Sequence, residues 1–232
     1  MHYQAVIFDL DGTLLDTLED IANSVNSTLA RYGFPTHGSD AYRYFVGDGV
    51  TMLVSRALPA EKRNDDIIAD CVGAFRENYD RNWNSTTSPY DGIPELLDVL
   101  TAKHVKMAIL SNKPDDFTKR CVHELLPNWN FEMVLGQRHG TPPKPDPSGA
   151  YEIAENIGIT PAQILYLGDT GVDMKTAVRA GMFPVGALWG FRPLDELREH
   201  GAAVIIERPM ELLDYLDNRG RLKAILKNQN KA

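Results

Sequence analysis

Two spacings of apolar positions alternate along this chain. Short unbroken apolar runs, Ala5-Val-Ile-Phe8, Val105 to Leu110, Ile164 to Leu167, Phe183 to Leu188 and Ala203 to Ile206, have the length and bounding residues of buried strands. Between them apolar residues recur at helical spacing: Leu18, Ile21, Ala22, Val25 and Leu29, then Val50 to Leu58, Ile67 to Tyr79, Leu96, Leu97 and Leu100, and Phe117, Val122 and Leu125. Gly33 and Gly181 stand where helices would stop. Arg219 to Ala232 mixes Lys and Asn with a few aliphatics and reads as a short helix with a frayed tail. Strands that alternate with helices predict an α/β fold built on a parallel sheet.

One stretch breaks that alternation. Roughly ninety residues separate the first strand from the next one that carries a polar motif, far more than a connection in a compact fold needs. The helical periods inside it, and the absence of strand alternation, predict a helical cap at residues 16–85, inserted after the first strand of a Rossmann-like core formed by 1–15 and 86–232. The hinges fall at Leu14 to Thr17 and at Asn82 to Tyr90, where Asn-Trp-Asn-Ser-Thr-Thr-Ser-Pro is polar and turn-rich like a linker.

The strand ends carry the chemistry. The first strand stops at Asp9-Leu-Asp11-Gly12-Thr13. Side chains alternate along extended backbone, so Asp9 and Asp11 face the same way, and a carboxylate pair at a strand end is unfavourable unless a cation or a reaction uses it. Asp9 is thus a candidate nucleophile and Asp11 a candidate proton carrier. Gly12 lets the chain turn away, and the Thr13 hydroxyl is placed to hold Asp11. After the strand ending at Leu110, Ser111 can donate to an anionic oxygen, although it is equally suited to cap a helix starting near Asp115. Lys144 lies in Thr-Pro-Pro-Lys-Pro-Asp-Pro, a stiff mounting for a point charge aimed at an acidic site. Asp169 and Asp173 follow another apolar run, four residues apart, on one face of an opening helix. They suit a hard cation such as magnesium, which takes one or two carboxylates, and they also suit helix capping. A divalent cation and Lys144 together would let this acidic cluster accept a phosphate.

In this order, Asp9-Leu10-Asp11-Gly12-Thr13, Ser111-Asn112, Lys144 and Gly168-Asp169 with Asp173 resemble the motifs of the haloacid dehalogenase superfamily, in its phosphoglycolate phosphatase-like branch. The resemblance spans nearly the whole chain. It implies that Asp9 attacks phosphorus to form an aspartyl-phosphate, and that Asp11 protonates the leaving oxygen and then activates water. It implies Mg2+ on Asp9, the Asp11 carbonyl and Asp169, with Asp173 completing or supporting the shell. Ser111, Asn112, Lys144 and Thr13 make up the implied phosphate-binding set. The dehalogenases of the superfamily lack the second aspartate, so Asp11 argues for phosphate chemistry. Val46-Gly-Asp-Gly-Val50 through Ser55-Arg-Ala-Leu58 resembles the branch's cap signature, which makes Arg56 and Arg43 candidates for meeting the substrate, against the alternative that both are solvated helix residues.

A net charge of -8 argues against nucleic acid or an anionic membrane as partner and leaves a small phosphorylated metabolite. Cys71 and Cys121 read as buried free thiols, and the scattered histidines as no metal site. With no leader-like segment and no run of membrane-spanning length, a cytoplasmic location is expected. The expected activity is Mg2+-dependent hydrolysis of a small phosphomonoester, 2-phosphoglycolate first. The alternatives are a β-phosphoglucomutase-like phosphomutase, a pyrophosphatase or sugar phosphatase, and a phosphate-responsive signalling module.

Overall fold

The computed structural model describes residues 3–216. In chain order, β1 (Ala5–Phe8) is followed by β2 (Leu15–Asp16) and by four helices, α1 (Leu18–Arg31), α2 (Ser39–Phe45), α3 (Val50–Ala57) and α4 (Asp65–Asn82). Then come β3 (Ser88–Pro89), α5 (Ile93–Ala102), β4 (Lys106–Pro114), α6 (Asp115–Leu125), β5 (Met133–Gln137), α7 (Ser148–Ile157), β6 (Ile164–Gly168), α8 (Gly171–Ala180), β7 (Phe183–Ala187), α9 (Leu194–Glu199) and β8 (Val204–Ile206).

Six strands form one parallel sheet in the order β5-β4-β1-β6-β7-β8. This is the expected α/β core, and β1 owes its unbroken apolar sequence to its place inside it: every residue of β1 is fully buried, with β4 on one side and β6 on the other. Phe8 lies opposite both Ile109 and Leu167, so the carboxyl ends of β1 and β6 and the last residues of β4 meet at one edge of the sheet. Ligands of open α/β sheets bind at such carboxyl ends, where the strand order reverses.

The helices α1 to α4 pack on one another over that edge. The chain enters them through β2 and returns through β3, and the two short strands pair antiparallel, Leu15 with Pro89 and Asp16 with Ser88. The segment read as a polar linker is more structured than its composition implies. Trp83 within it is buried, and the buried Asp20 carboxylate at the start of α1 accepts from the backbone N–H and the hydroxyl of both Thr86 and Thr87. One continuous hydrophobic cluster joins sheet residues such as Phe8 and Leu167 to helix residues such as Val25, Leu53 and Phe75. The tail read as a helix, Arg219 to Ala232, lies outside the described residues.

Candidate active site

Asp9 follows β1 directly and is held in place by its own N–H, which donates to Leu167 O at 2.9 Å. Its side chain is buried, with Oδ1 2.8 Å from Lys144 Nζ. Asp169 occupies the matching position after β6. Its Oδ1 accepts from the Thr13 hydroxyl at 2.9 Å and its Oδ2 from Phe191 N–H at 2.8 Å. Thr13 therefore holds Asp169, and not Asp11 or a phosphate, because the turn after β1 folds back toward β6. Gly12 and Gly190 are needed for that approach: a Cβ at either would stand 2.4 and 2.2 Å from an Asp169 atom, and Gly12 also has φ +85°.

The helix that opens here is capped by Thr170, with Asp173 as its capping-box partner, so Asp169 precedes α8 instead of sharing a helix face with Asp173. Both oxygens of Asp173 are engaged. Oδ2 accepts from Thr170 N–H at 3.1 Å and its hydroxyl at 2.6 Å, while Oδ1 accepts from Lys144 Nζ at 2.7 Å. Lys144 also donates to Leu110 O at 3.0 Å. Lys144 thus donates to Leu110 and Asp173 and is ion-paired with Asp9. In this arrangement it fixes two carboxylates and offsets their charge.

Asn112 is likewise committed. Its amide oxygen accepts from Lys144 N–H at 2.8 Å, and its NH2 donates to Lys144 O and to Gly47 O, each at 3.0 Å. It anchors the lysine loop and reaches across to the helical cap, leaving no group for the substrate. Ser111 does not cap α6, whose N-cap is Pro114. The Ser111 oxygen accepts from Lys113 N–H at 3.2 Å, and its hydroxyl lines the cavity beside Asp9 and Asp11.

The electrostatics of the cluster are unbalanced. One oxygen each of Asp9, Asp169 and Asp173 lies within 4.8 Å of the others, all three residues are buried, and Lys144 is the cation among them. Burial pushes the Asp9 carboxyl well above the ordinary carboxylate range, and Asp173 and Asp169 add to the effect more than Lys144 offsets. Asp169 is pushed up to about 7, first by burial and then by Asp173. Burial opposes the charge of Lys144 as well, but Asp173 and Asp9 outweigh it and keep the ammonium protonated. Two formal negative charges are left over in a set of hard oxygen donors, which fits one divalent cation of the magnesium type. Asp9 and Asp169 have the freer oxygens; Asp173 fits a supporting role.

Sequence reading does not find Lys113. Next to Ser-Asn at a strand end it passes for a surface residue, yet it is buried, and its Nζ lies 3.0 and 3.3 Å from the two oxygens of Asp11 and 2.7 Å from the Tyr79 hydroxyl of α4. Asp11 is thus outside the acidic cluster, paired with its own cation.

A cavity opens between the sheet edge and the cap. Asp9, Asp11, Ser111 and Lys113 form its floor, and Ile21, Val46, Val50, Leu53, Phe75 and Tyr79 supply the cap side. Neither cap arginine singled out from the sequence lines it. Arg56 is paired with Asp48 and donates to Phe45 O at 3.1 Å, bracing the loop before α3, while Arg43 donates to Gly190 O at 2.9 Å as a link from cap to core. The cap cation on the cavity wall is Arg76, 3.6 Å from Asp116 and half exposed.

Residues 6–187 match the family model described as haloacid dehalogenase-like hydrolase. The chain belongs to this family. A phosphoglycolate phosphatase of Aquifex aeolicus is 31% identical to this hydrolase over 93% of its chain and 97% of the relative. An N-acetylmuramic acid 6-phosphate phosphatase of Pseudomonas aeruginosa is 30% identical over 94% and 96%. A crystal structure from Lactobacillus delbrueckii subsp. bulgaricus, assigned as a phosphoglycolate phosphatase, superposes with a TM-score of 0.87 at 29% identity, covering 93% of this chain and 99% of its own. With these relatives the hydrolase is a phosphatase of phosphoric monoesters.

Proposed function

We propose that this phosphatase hydrolyses a small phosphomonoester, with magnesium, through an aspartyl-phosphate on Asp9. The observation that carries the reading is the buried Asp9 carboxylate at the cavity floor, fixed by Lys144 and crowded by Asp169 and Asp173. Asp9 attacks phosphorus as the ester P–O bond breaks, and Asp11 gives its proton to the departing oxygen. Asp11 then takes a proton from the water that attacks phosphorus, and the P–O bond to Asp9 breaks to restore both carboxyl groups and release phosphate. Splitting one displacement into two is how a carboxylate nucleophile lowers a difficult barrier. Asp9 and Asp169, supported by Asp173, would hold Mg2+, which when bound supplies positive charge to the transferring phosphoryl oxygens. Ser111 donates to the same phosphoryl group from the cavity floor. The apolar cap side keeps bulk water from the acyl-phosphate.

The substrate proposed first is 2-phosphoglycolate, on the strength of relatives such as the Aquifex enzyme. Arg76, the cap cation that lines the cavity, is proposed in preference to Arg56 or Arg43 to meet a carboxylate on the leaving group. The muramic acid phosphate relative at nearly equal identity keeps a sugar phosphate in the same trial. The buried free thiols of Cys71 and Cys121 support a cytoplasmic setting, and among the described residues no helix is long and apolar enough to cross a membrane.

The test is phosphate release from 2-phosphoglycolate, a hexose 6-phosphate, pyrophosphate and p-nitrophenyl phosphate, each with EDTA and then with Mg2+ restored. Turnover that vanishes in EDTA and returns with Mg2+ is expected. Undiminished turnover in EDTA contradicts the metal assignment, and an isomerised sugar phosphate without free phosphate contradicts the hydrolase reading in favour of a mutase.

A further inference from the structure

Lys113 is a buried cation that the proposed mechanism leaves unused. It is the residue after Asn112 in β4, it stands on the cavity floor, and its ammonium spans two units of the fold. On the core side it contacts both Asp11 oxygens, and on the cap side it donates to the Tyr79 hydroxyl at 2.7 Å while lying 4.7 Å from the centre of that ring. The phenol is locked in turn. Tyr79 is 2% exposed, stacked on Phe75 at 5.3 Å and set edge-on to Phe117 at 5.2 Å. Burial pushes the Tyr79 phenol above its ordinary range, so it stays neutral and serves Lys113 as an acceptor. Burial alone would strip the charge from Lys113, but Asp11 and Tyr79 outweigh it and keep the ammonium charged.

We propose that Lys113 is a positioning residue for Asp11, and that Tyr79 of the cap completes the grip, so that proton donation to the leaving oxygen depends on a cap residue. This rests on the reading of Asp11 as the proton donor. The ammonium, held between Asp11 and the phenol in a nearly dry site, fixes the direction in which the Asp11 carboxyl group meets the leaving oxygen. A small misplacement of a group that transfers a proton is felt as rate. The Tyr79 oxygen takes one of the lysine donors and keeps the head group from swinging away from Asp11. With the cap lifted that contact is lost, which ties the donor's geometry to the presence of the cap over the substrate.

The role has a signature that mere packing lacks. An alkoxide leaving group needs a proton, whereas p-nitrophenolate leaves without one, so a fault in proton donation falls on alkyl substrates. Lys113→Met should lower kcat/KM for 2-phosphoglycolate or another alkyl phosphate on the order of 10²-fold, the usual scale of general acid catalysis, and lower that for p-nitrophenyl phosphate by less than about tenfold. Lys113→Arg should recover part of the alkyl activity. Tyr79→Phe, which keeps the ring and removes only the hydroxyl, should show the same selectivity in smaller measure, and it decides the matter if Lys113→Met fails to fold. Equal losses on both substrates in Lys113→Met, or no selectivity in Tyr79→Phe, overturn the proposal. Asp11→Asn is the control, read in kcat/KM, which the later water-activating step shared by all substrates does not enter: if it is selective and the Lys113 and Tyr79 variants are not, the positioning role alone is wrong, and if its kcat/KM falls equally for both substrates, the assignment of Asp11 as proton donor falls and the inference with it.

Discussion

Asp9 is buried against two carboxylates and one ammonium, and its surroundings favour the neutral form. Replacing it with asparagine keeps the shape, removes one of the crowded charges and leaves Lys144 paired with Asp173. Asp9→Asn should therefore lose turnover on the order of 10⁴-fold or more while the metal-free melting temperature stays equal or rises. A large fall in melting temperature would mean that Asp9 is a structural residue. The aspartates were legible because each lies in a short local motif at the end of an apolar run. Lys113 was not, since its burial comes from Asp11 and Tyr79, which lie 102 and 34 positions away in the chain. Arg56 was misleading for a related reason: a basic residue in a cap motif reads the same whether it faces a substrate or braces the Asp48 loop beside it.

Among the elements, the longer helices followed from their apolar spacing, with α1, α3 and α4 close to the predicted positions and Gly181 ending α8 at φ +70°. Elements with little periodic signal were missed. α2 has seven residues, of which only Tyr42 is buried; β5 is five residues interrupted by Gly136; and α7 opens Ser-Gly-Ala without a side-chain cap. The neck between core and cap shows how one residue can organise a polar stretch. Asp20 gathers donors from Thr86 and Thr87 that would otherwise be unpaired in a buried turn. These donors outweigh burial and lower the carboxyl of Asp20 below its ordinary value. Asp20→Ala should destabilise the protein by about 3 kcal/mol in urea unfolding. A depressed carboxyl contributes above its unfolded value, near 3.9, and loses the contribution as pH falls through the folded value, so the gap between variant and parent should close in acid below about pH 4. A difference within about 0.5 kcal/mol at neutral pH would assign the neck to the β2–β3 pair alone.

For the molecule as a whole, contacts between cap and core ring the site. Arg43 donates to Gly190 O, Arg192 to Val46 O, Asn112 to Gly47 O and Lys113 to the Tyr79 hydroxyl, and Trp189 donates to Thr13 O in the turn beneath them. Most of these acceptors are backbone carbonyls, which no residue pattern reveals, so the way α1 to α4 sit over the sheet edge was not legible in the sequence. Apolar side chains line the cap side of the cavity above Asp9, which suits the acyl-phosphate proposed above. The central claim is that this acyl-phosphate forms on Asp9. Rapid acid quenching during turnover of radiolabelled p-nitrophenyl phosphate with Mg2+, followed by peptide mapping, tests it directly. Label on the peptide containing Asp9, formed within the first turnover and absent in Asp9→Asn, is the predicted result; phosphate release with no labelled peptide, or label on another residue, would contradict it.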